Sequence, residues 1–345
     1  MRKLKLNIYN QLIQNDVIMT PEGNIQNILI WGQSLENVYN HYDSYLQNYN
    51  EENSIGCLEK HPYLSLYEED CDYNRGILIL GTFPPSSYFN NLPLNNLPNV
   101  NIQPNEPVNY FYGNLNELWY FLFGLDANQI TVDNIRSLLS LNDISISDVI
   151  SYTQREVMKN SDDSNLKNIV VNCSLGKIFN NDSNIHTILF TSGSLSSFLE
   201  NSTSALTGFR WVLEDCCDGL SSFQINGNLE GNGEYFPINL NGVNSAKNQQ
   251  NGGIVWWLKY GDKKIRIVNL PSPSRAAQIT MKKSAFFLKW INYMAFNNGI
   301  NPPQFNQNLN EYLAQYPNIF EEPVTRHYRR IIYSKVLNNT IGEIN

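Results

Sequence analysis

Three apolar runs stand out along the chain: ILIL at 77–80, IHTILFT at 185–191 and KIRIVNL at 264–270. Apolar residues at successive rather than alternate positions imply a strand covered on both faces, as in a buried parallel sheet. Each run ends in a loop marked by glycine, proline or serine: GTFPPSS at 81–87, Gly193, and PSPS at 271–274. Helical patterns follow, in NLNELWYFLFGL at 114–125, in SLSSFLEN after Gly193, and over 275–296 with Ile279, Phe286, Phe287, Trp290 and Ile291 as its stripe. Residues 143–151 lead into a further short strand or turn. Recurring strand, loop and helix predicts an α/β fold.

That core spans 75–298, with a polar Gly/Asn/Gln insertion at 218–253. Residues 1–74 mix amphipathic pieces, such as 24–50 with Ile28, Ile30, Trp31, Leu35 and Tyr39, with the acidic EED at 68–70, and read as an acidic, helical N-terminal extension. Residues 299–345 form a C-terminal extension carrying the basic TRHYRR at 325–330. No internal repeat is evident. The 345 residues include 20 Tyr, 16 Phe and 6 Trp, enough apolar surface for a sizeable core. The longest apolar runs fall far below the roughly 18 residues of a membrane span. The basic N-terminus is followed by NIYNQLIQND, too polar for the core of a signal peptide.

Five cysteines, Cys57, Cys71, Cys173, Cys216 and Cys217, are odd in number and lack C-x-x-C spacing, which predicts neither a disulfide framework nor a zinc or iron-sulfur site. A reducing cytoplasm is the expected compartment. The 52 asparagines are a compositional bias of surfaces and turns. A net charge of −8 argues against a nucleic-acid partner, but its distribution argues for one. Between 259 and 290 stand Lys259, Lys263, Lys264, Arg266, Arg275, Lys282, Lys283 and Lys289 against the single acid Asp262, a local excess of seven positive charges.

The common enzymatic signatures for phosphate loops, dinucleotide sites, zinc proteases and serine hydrolases are absent from the sequence. His41, His61, His186 and His327 are scattered without metal-like spacing, and each reads first as a structural residue. The strand-exit loops remain, and in an open α/β sheet these gather at the carboxyl edge where ligands bind. GTFPPSS and LPSPS each also suit a plain helix cap. Ser272 and Ser274 add small hydroxyls that suit a phosphate.

Taken together, LILGTFPPSS, YFYGNLNELW at 110–119, DVISYTQR at 148–155 with SDDS at 161–164, and NLPSPSRAA resemble, in order, the motifs of the uracil-DNA glycosylase superfamily, closest to its hypoxanthine-DNA glycosylase branch. The resemblance covers about two thirds of the chain, 75–296, and leaves both extensions unexplained. It implies an α/β fold of the three-layer α/β/α sandwich type with a short central parallel sheet, and a base pocket of Gly81, Thr82, Phe83, Tyr112 and Asp148, with Tyr112 stacking on the flipped base. It further implies that Ser272, Ser274, Arg275, Lys282 and Lys283 contact DNA. The asparagine that serves catalysis in this branch corresponds to Asn116, which keeps the N-x-x-W spacing to Trp119, or else to Asn114, because the element is one residue short here. Better-known branches carry Asp or Asn where this chain has Phe83, a side chain unable to bind water.

The function this implies is hydrolysis of the N-glycosidic bond of a deaminated base, hypoxanthine or uracil, in DNA, without metal or organic cofactor and away from membranes. Such a reaction expels the base from the stack, stabilises an oxocarbenium-like centre and holds one water on the sugar. Two other readings stand beside it. Phe83 and the short NLN element suit a catalytically silent nucleic-acid or nucleobase-binding protein, and the acidic overall charge suits a hydrolase of free nucleosides or other small molecules.

Overall fold

The computed structural model describes residues 18–19, 58–84 apart from 62 and 65, 108, 110–113, 117–155, 163–192, 204–217, 223–226, 254–274, 281–304, 307–321 and 323–342. The amphipathic region at 24–50, the helix expected after Gly193 and most of the 218–253 insertion lie outside them.

The fold is mixed α/β. Strands β1 (Ile18–Met19), β2 (Leu58–Lys60), β3 (Ile77–Gly81), β4 (Ile144–Asp148), β5 (Ile150–Arg155), β6 (Leu166–Val171), β7 (Thr187–Phe190), β8 (Phe223–Asn226), β9 (Ile254–Tyr260) and β10 (Lys263–Asn269) form two sheets. The larger has the order β4-β3-β7-β10-β9-β8. Its first four strands are parallel, and β9 and β8 extend it antiparallel. The smaller has the order β1-β2-β5-β6.

Why the apolar runs are continuous is plain from their surroundings. Ile77 and Ile79 of β3 enter one core with Ile144, Ile146, Leu189 and Val268, whereas Leu78 and Leu80 enter a second core with Ile188, Phe190, Ile265 and Ile267. All four β3 side chains are fully buried, each worth roughly 1.5–3 kcal/mol of transfer free energy. The first core is closed by α1 (Leu118–Phe123), α2 (Val132–Leu141), α4 (Ala285–Asn297), α5 (Leu309–Ala314) and α6 (Val324–Gly342); the second by α3 (Ala205–Cys216), β6 and a 3-10 turn over Cys173–Phe179. Strand β4 keeps polar Ser145 and Ser147 on its second face, satisfied by Asp72 O at 2.6 Å and Asn172 Nδ2 at 3.2 Å.

Local chemistry sets the helix ends. Thr131 and Ser204 each accept the N–H of the residue three positions on, at 3.2 and 3.3 Å, and so cap α2 and α3. Gly124, at φ 71°, ends α1 in the left-handed conformation that glycine adopts without strain.

Two expectations change. Cys173 and Cys216 form a disulfide that ties the 3-10 turn to α3 across 43 residues, although no local spacing announced it. The cytoplasmic expectation therefore loses the support it drew from cysteine usage; among the described residues no helix is long and apolar enough to cross a membrane. The basic excess at 259–290 also divides. Lys259, Lys263 and Lys264 lie at the β9–β10 turn, the opposite end of β10 from the PSPS loop. There Lys263 Nζ donates to Ile178 O and Ser183 O, Lys264 stacks 3.9 Å from the Trp257 ring centroid, and Arg266 is buried within β10.

Candidate functional site at the carboxyl edge of the sheet

In the order β4-β3-β7-β10 the chain leaves β3 toward β4 and then returns past β3 to β7. The topological switch point of the sheet therefore falls between the carboxyl ends of β3 and β7, the place where ligands bind in open α/β sheets. Parallel register brings Gly81, at the end of β3, level with Asp148 at the end of β4. Gly81 is required by space: a Cβ here falls well inside contact distance of both Asp148 Oδ1 and the Tyr112 hydroxyl.

Tyr112 holds φ at 61°, uncommon for a residue with a side chain and the kind of local strain that recurs at binding sites. Its hydroxyl pairs with Thr191 Oγ1 at 2.7 Å at the exit of β7, and its ring lies edge-on to Trp119 with centroids 6.4 Å apart. Burial, and after it the Asp148 carboxylate, push its pKa well above the ordinary tyrosine value. The hydroxyl thus stays protonated near neutral pH. Thr82 Oγ1 donates to Asp163 Oδ2 at 2.9 Å and lies 3.2 Å from Ser192 Oγ. Ser192 in turn accepts the Ala205 N–H at 3.1 Å, which ties the start of α3 to this edge of the sheet.

Asp148 also meets His61, which arrives from strand β2 in the N-terminal region. His61 Nε2 and Asp148 Oδ2 are 2.8 Å apart and both side chains are buried. Nδ1 accepts the N–H groups of Tyr63 and Leu64 at 3.1 and 3.2 Å. An imidazole nitrogen that accepts cannot carry the proton, so the hydrogen sits on Nε2 and is donated to Asp148. Phe83 is buried with its ring edge-on to His61, centroids 5.1 Å apart.

No family model, curated protein or solved structure matches the chain. The site therefore rests on its own geometry.

Gly81, Tyr112 and Asp148 pack together, Thr82 adjoins them through its bond to Asp163, and the Phe83 ring meets His61 beside Asp148. Ser272 and Ser274 are half-buried at the end of β10, and the Ser274 N–H donates to Ser272 Oγ at 3.3 Å. Lys282 and Lys283 are exposed in the turn before α4, and Lys282 Nζ donates to Asn310 Oδ1 at 2.7 Å. Asn116, Asn114 and Arg275 lie outside the described residues. Among the described residues no group of three or more His, Cys, Asp or Glu is placed to hold a metal ion.

Several residues of the site escaped the sequence reading. His61 sits in a segment read as an extension, and a lone histidine carries no signal of its partner. Thr191 and Ser192 follow a strand that was recognised, so their position at the strand exit was available as a cue. Glu117 and Arg329 are 212 positions apart and unite only in the fold, with Arg329 Nη2 2.7 Å from Glu117 Oε2.

Proposed function

We propose that this chain is a DNA glycosylase that releases a deaminated base, uracil or hypoxanthine, on a three-layer α/β/α sandwich. One observation carries the reading. Segments far apart in sequence, at 81–83, 110–113, 148 and 163, which the resemblance singled out one by one, meet at the carboxyl edge of the sheet beside its switch point.

In this reading the flipped nucleotide enters at the carboxyl edge of the sheet, beside the switch point between β3 and β7. A buried Asp148 carboxylate, kept oriented by His61, faces the sugar and offsets the positive charge that develops there as the glycosidic bond breaks and its electron pair leaves with the base. Water, positioned by the Asn116 amide, then bonds to the sugar carbon, and its proton goes to the departed base to leave free base and an abasic sugar. The Tyr112 hydroxyl, held protonated, is a donor in the pocket wall. Ser272 and Ser274 meet the DNA backbone. No step calls for a metal or an organic cofactor.

The test is incubation of the purified chain with oligonucleotides carrying one uracil or one hypoxanthine, followed by alkaline cleavage of abasic sites. Strand scission at the modified position is expected; its absence for both bases removes the activity. Phe83 favours a second reading, a base-binding protein without chemistry, because it fills with a buried ring the position where water is held in better-known branches. Selective binding of the modified duplex without base release identifies that case.

A further inference from the structure

All four carbonyl oxygens of the loop 271–274 are taken by donors elsewhere in the protein. Tyr333 Oη donates to Pro271 O at 2.7 Å, the Glu117 N–H to Pro273 O at 3.1 Å, and Arg329 Nη1 to both Ser272 O at 3.1 Å and Ser274 O at 3.0 Å. The same guanidinium sets Nη2 on Glu117 Oε2 at 2.7 Å and Nε on Thr325 O at 3.2 Å, and lies 4.6 Å from the Phe121 ring centroid. Arg329 is fully buried and Glu117 nearly so; Arg326 Nε stands 2.9 Å from the second oxygen of the same carboxylate. One side chain from α6 therefore fixes both the serine loop and the residue that follows Asn116.

We propose that Arg329 is a positioning residue of the functional site, which holds the carbonyl side of 271–274 inward so that Ser272 and Ser274 are presented to a DNA phosphate, and that α6 is thereby part of that site. The phosphate contact rests on the glycosylase reading; the clamp does not. Lysine cannot replace arginine here. The guanidinium reaches four acceptors from three nitrogens of one rigid plane, whereas an ammonium places all its donors on one atom. Arg329→Lys keeps a positive charge beside Glu117 and strips the serine carbonyls of their donor. The double variant Glu117→Gln/Arg329→Met removes both charges at once, and so separates an unpaired buried ion from loss of loop geometry.

The experiment compares the full-length parent with both variants by hydrogen exchange of peptides covering 267–281 and by duplex affinity as a function of salt. In Arg329→Lys, exchange around the loop should rise at least about tenfold while peptides of β3 and β7 keep parental protection. Duplex affinity should fall by about tenfold, and the log-affinity against log-salt slope by about one unit, the signature of one lost phosphate contact. The maximal single-turnover rate at saturating DNA should change less than the half-saturating concentration. Parental exchange at the loop overturns the clamp, whatever happens to DNA. Fast exchange with parental affinity and slope overturns its role in the site. Should Arg329→Lys fail to fold, the charge-free double variant decides by the same two readings. A parent that neither binds nor cleaves the modified duplex sinks the glycosylase reading on its own, and loop exchange still decides whether Arg329 holds 271–274.

Discussion

His61→Ala strikes the junction between the N-terminal region and the sheet edge. Truncation leaves Asp148 Oδ2 without the donor it has at 2.8 Å and the N–H groups of Tyr63 and Leu64 without their acceptor. An orphaned buried polar group costs about 1–3 kcal/mol, and more when it is charged. Water admitted to the vacated space recovers part of this, and Leu64 is only half-buried. A net loss of about 3–4 kcal/mol is expected, a large share of the 5–15 kcal/mol typical of a domain. Asp148→Asn is the control: the amide oxygen still accepts from His61 Nε2, so the loss should stay near 1 kcal/mol, the net worth of a typical hydrogen bond. Urea denaturation at neutral pH, with slopes compared to confirm a common unfolded state, measures both. If Asp148→Asn proves as costly as His61→Ala, the assigned tautomer is wrong and the reasoning fails with it.

Gly81→Ala places a methyl group against Asp148 and Tyr112, each already pinned, and should cost about 1–3 kcal/mol by overpacking and abolish base release; a variant of parental stability and rate refutes the packing argument. Tyr110, Tyr328 and Tyr333 are fully buried, and burial raises each pKa above its ordinary value of 10.0. A raised folded-state pKa gives stability that is complete below pH 10 and lost above it, by about 1.4 kcal/mol per pH unit for each tyrosine. Tyrosinate absorbance should therefore lag and then rise together with the loss of circular dichroism; smooth titration of these residues in folded protein contradicts it. Replacement of Lys282 and Lys283 by Ala should lower the salt slope of duplex binding by about 1–2 units with no dependence on the base, and an unchanged slope makes them a solvated surface.

The parallel strands were legible because burial on both faces writes itself as a continuous run: 77–80, 185–191 and 264–270 fall on β3, β7 and β10. Strand β4 was half legible, since Ser145 and Ser147 interrupt its pattern and are satisfied only by Asp72 and Asn172 from other parts of the chain. The added strand β9 and helices α5 and α6 went unread, because their place is set by partners distant in sequence. The basic cluster at 259–290 misled in part for the same reason. Contiguity in sequence does not place charges on one surface when a seven-residue strand separates its two ends by about 20 Å.

The grip of α6 on the 271–274 loop also bears on the order in which the molecule comes into being. The guanidinium that meets Glu117 belongs to a residue 212 positions later, so a growing chain presents the loops after β3, β4 and β7 long before it can seat the serine loop. Contacts of such wide separation close late, because the intervening chain must first be ordered. An incomplete chain that stops short of Arg329 should thus carry a sheet edge without a fixed serine loop, and competence at this site should arrive in one step, near the end of synthesis.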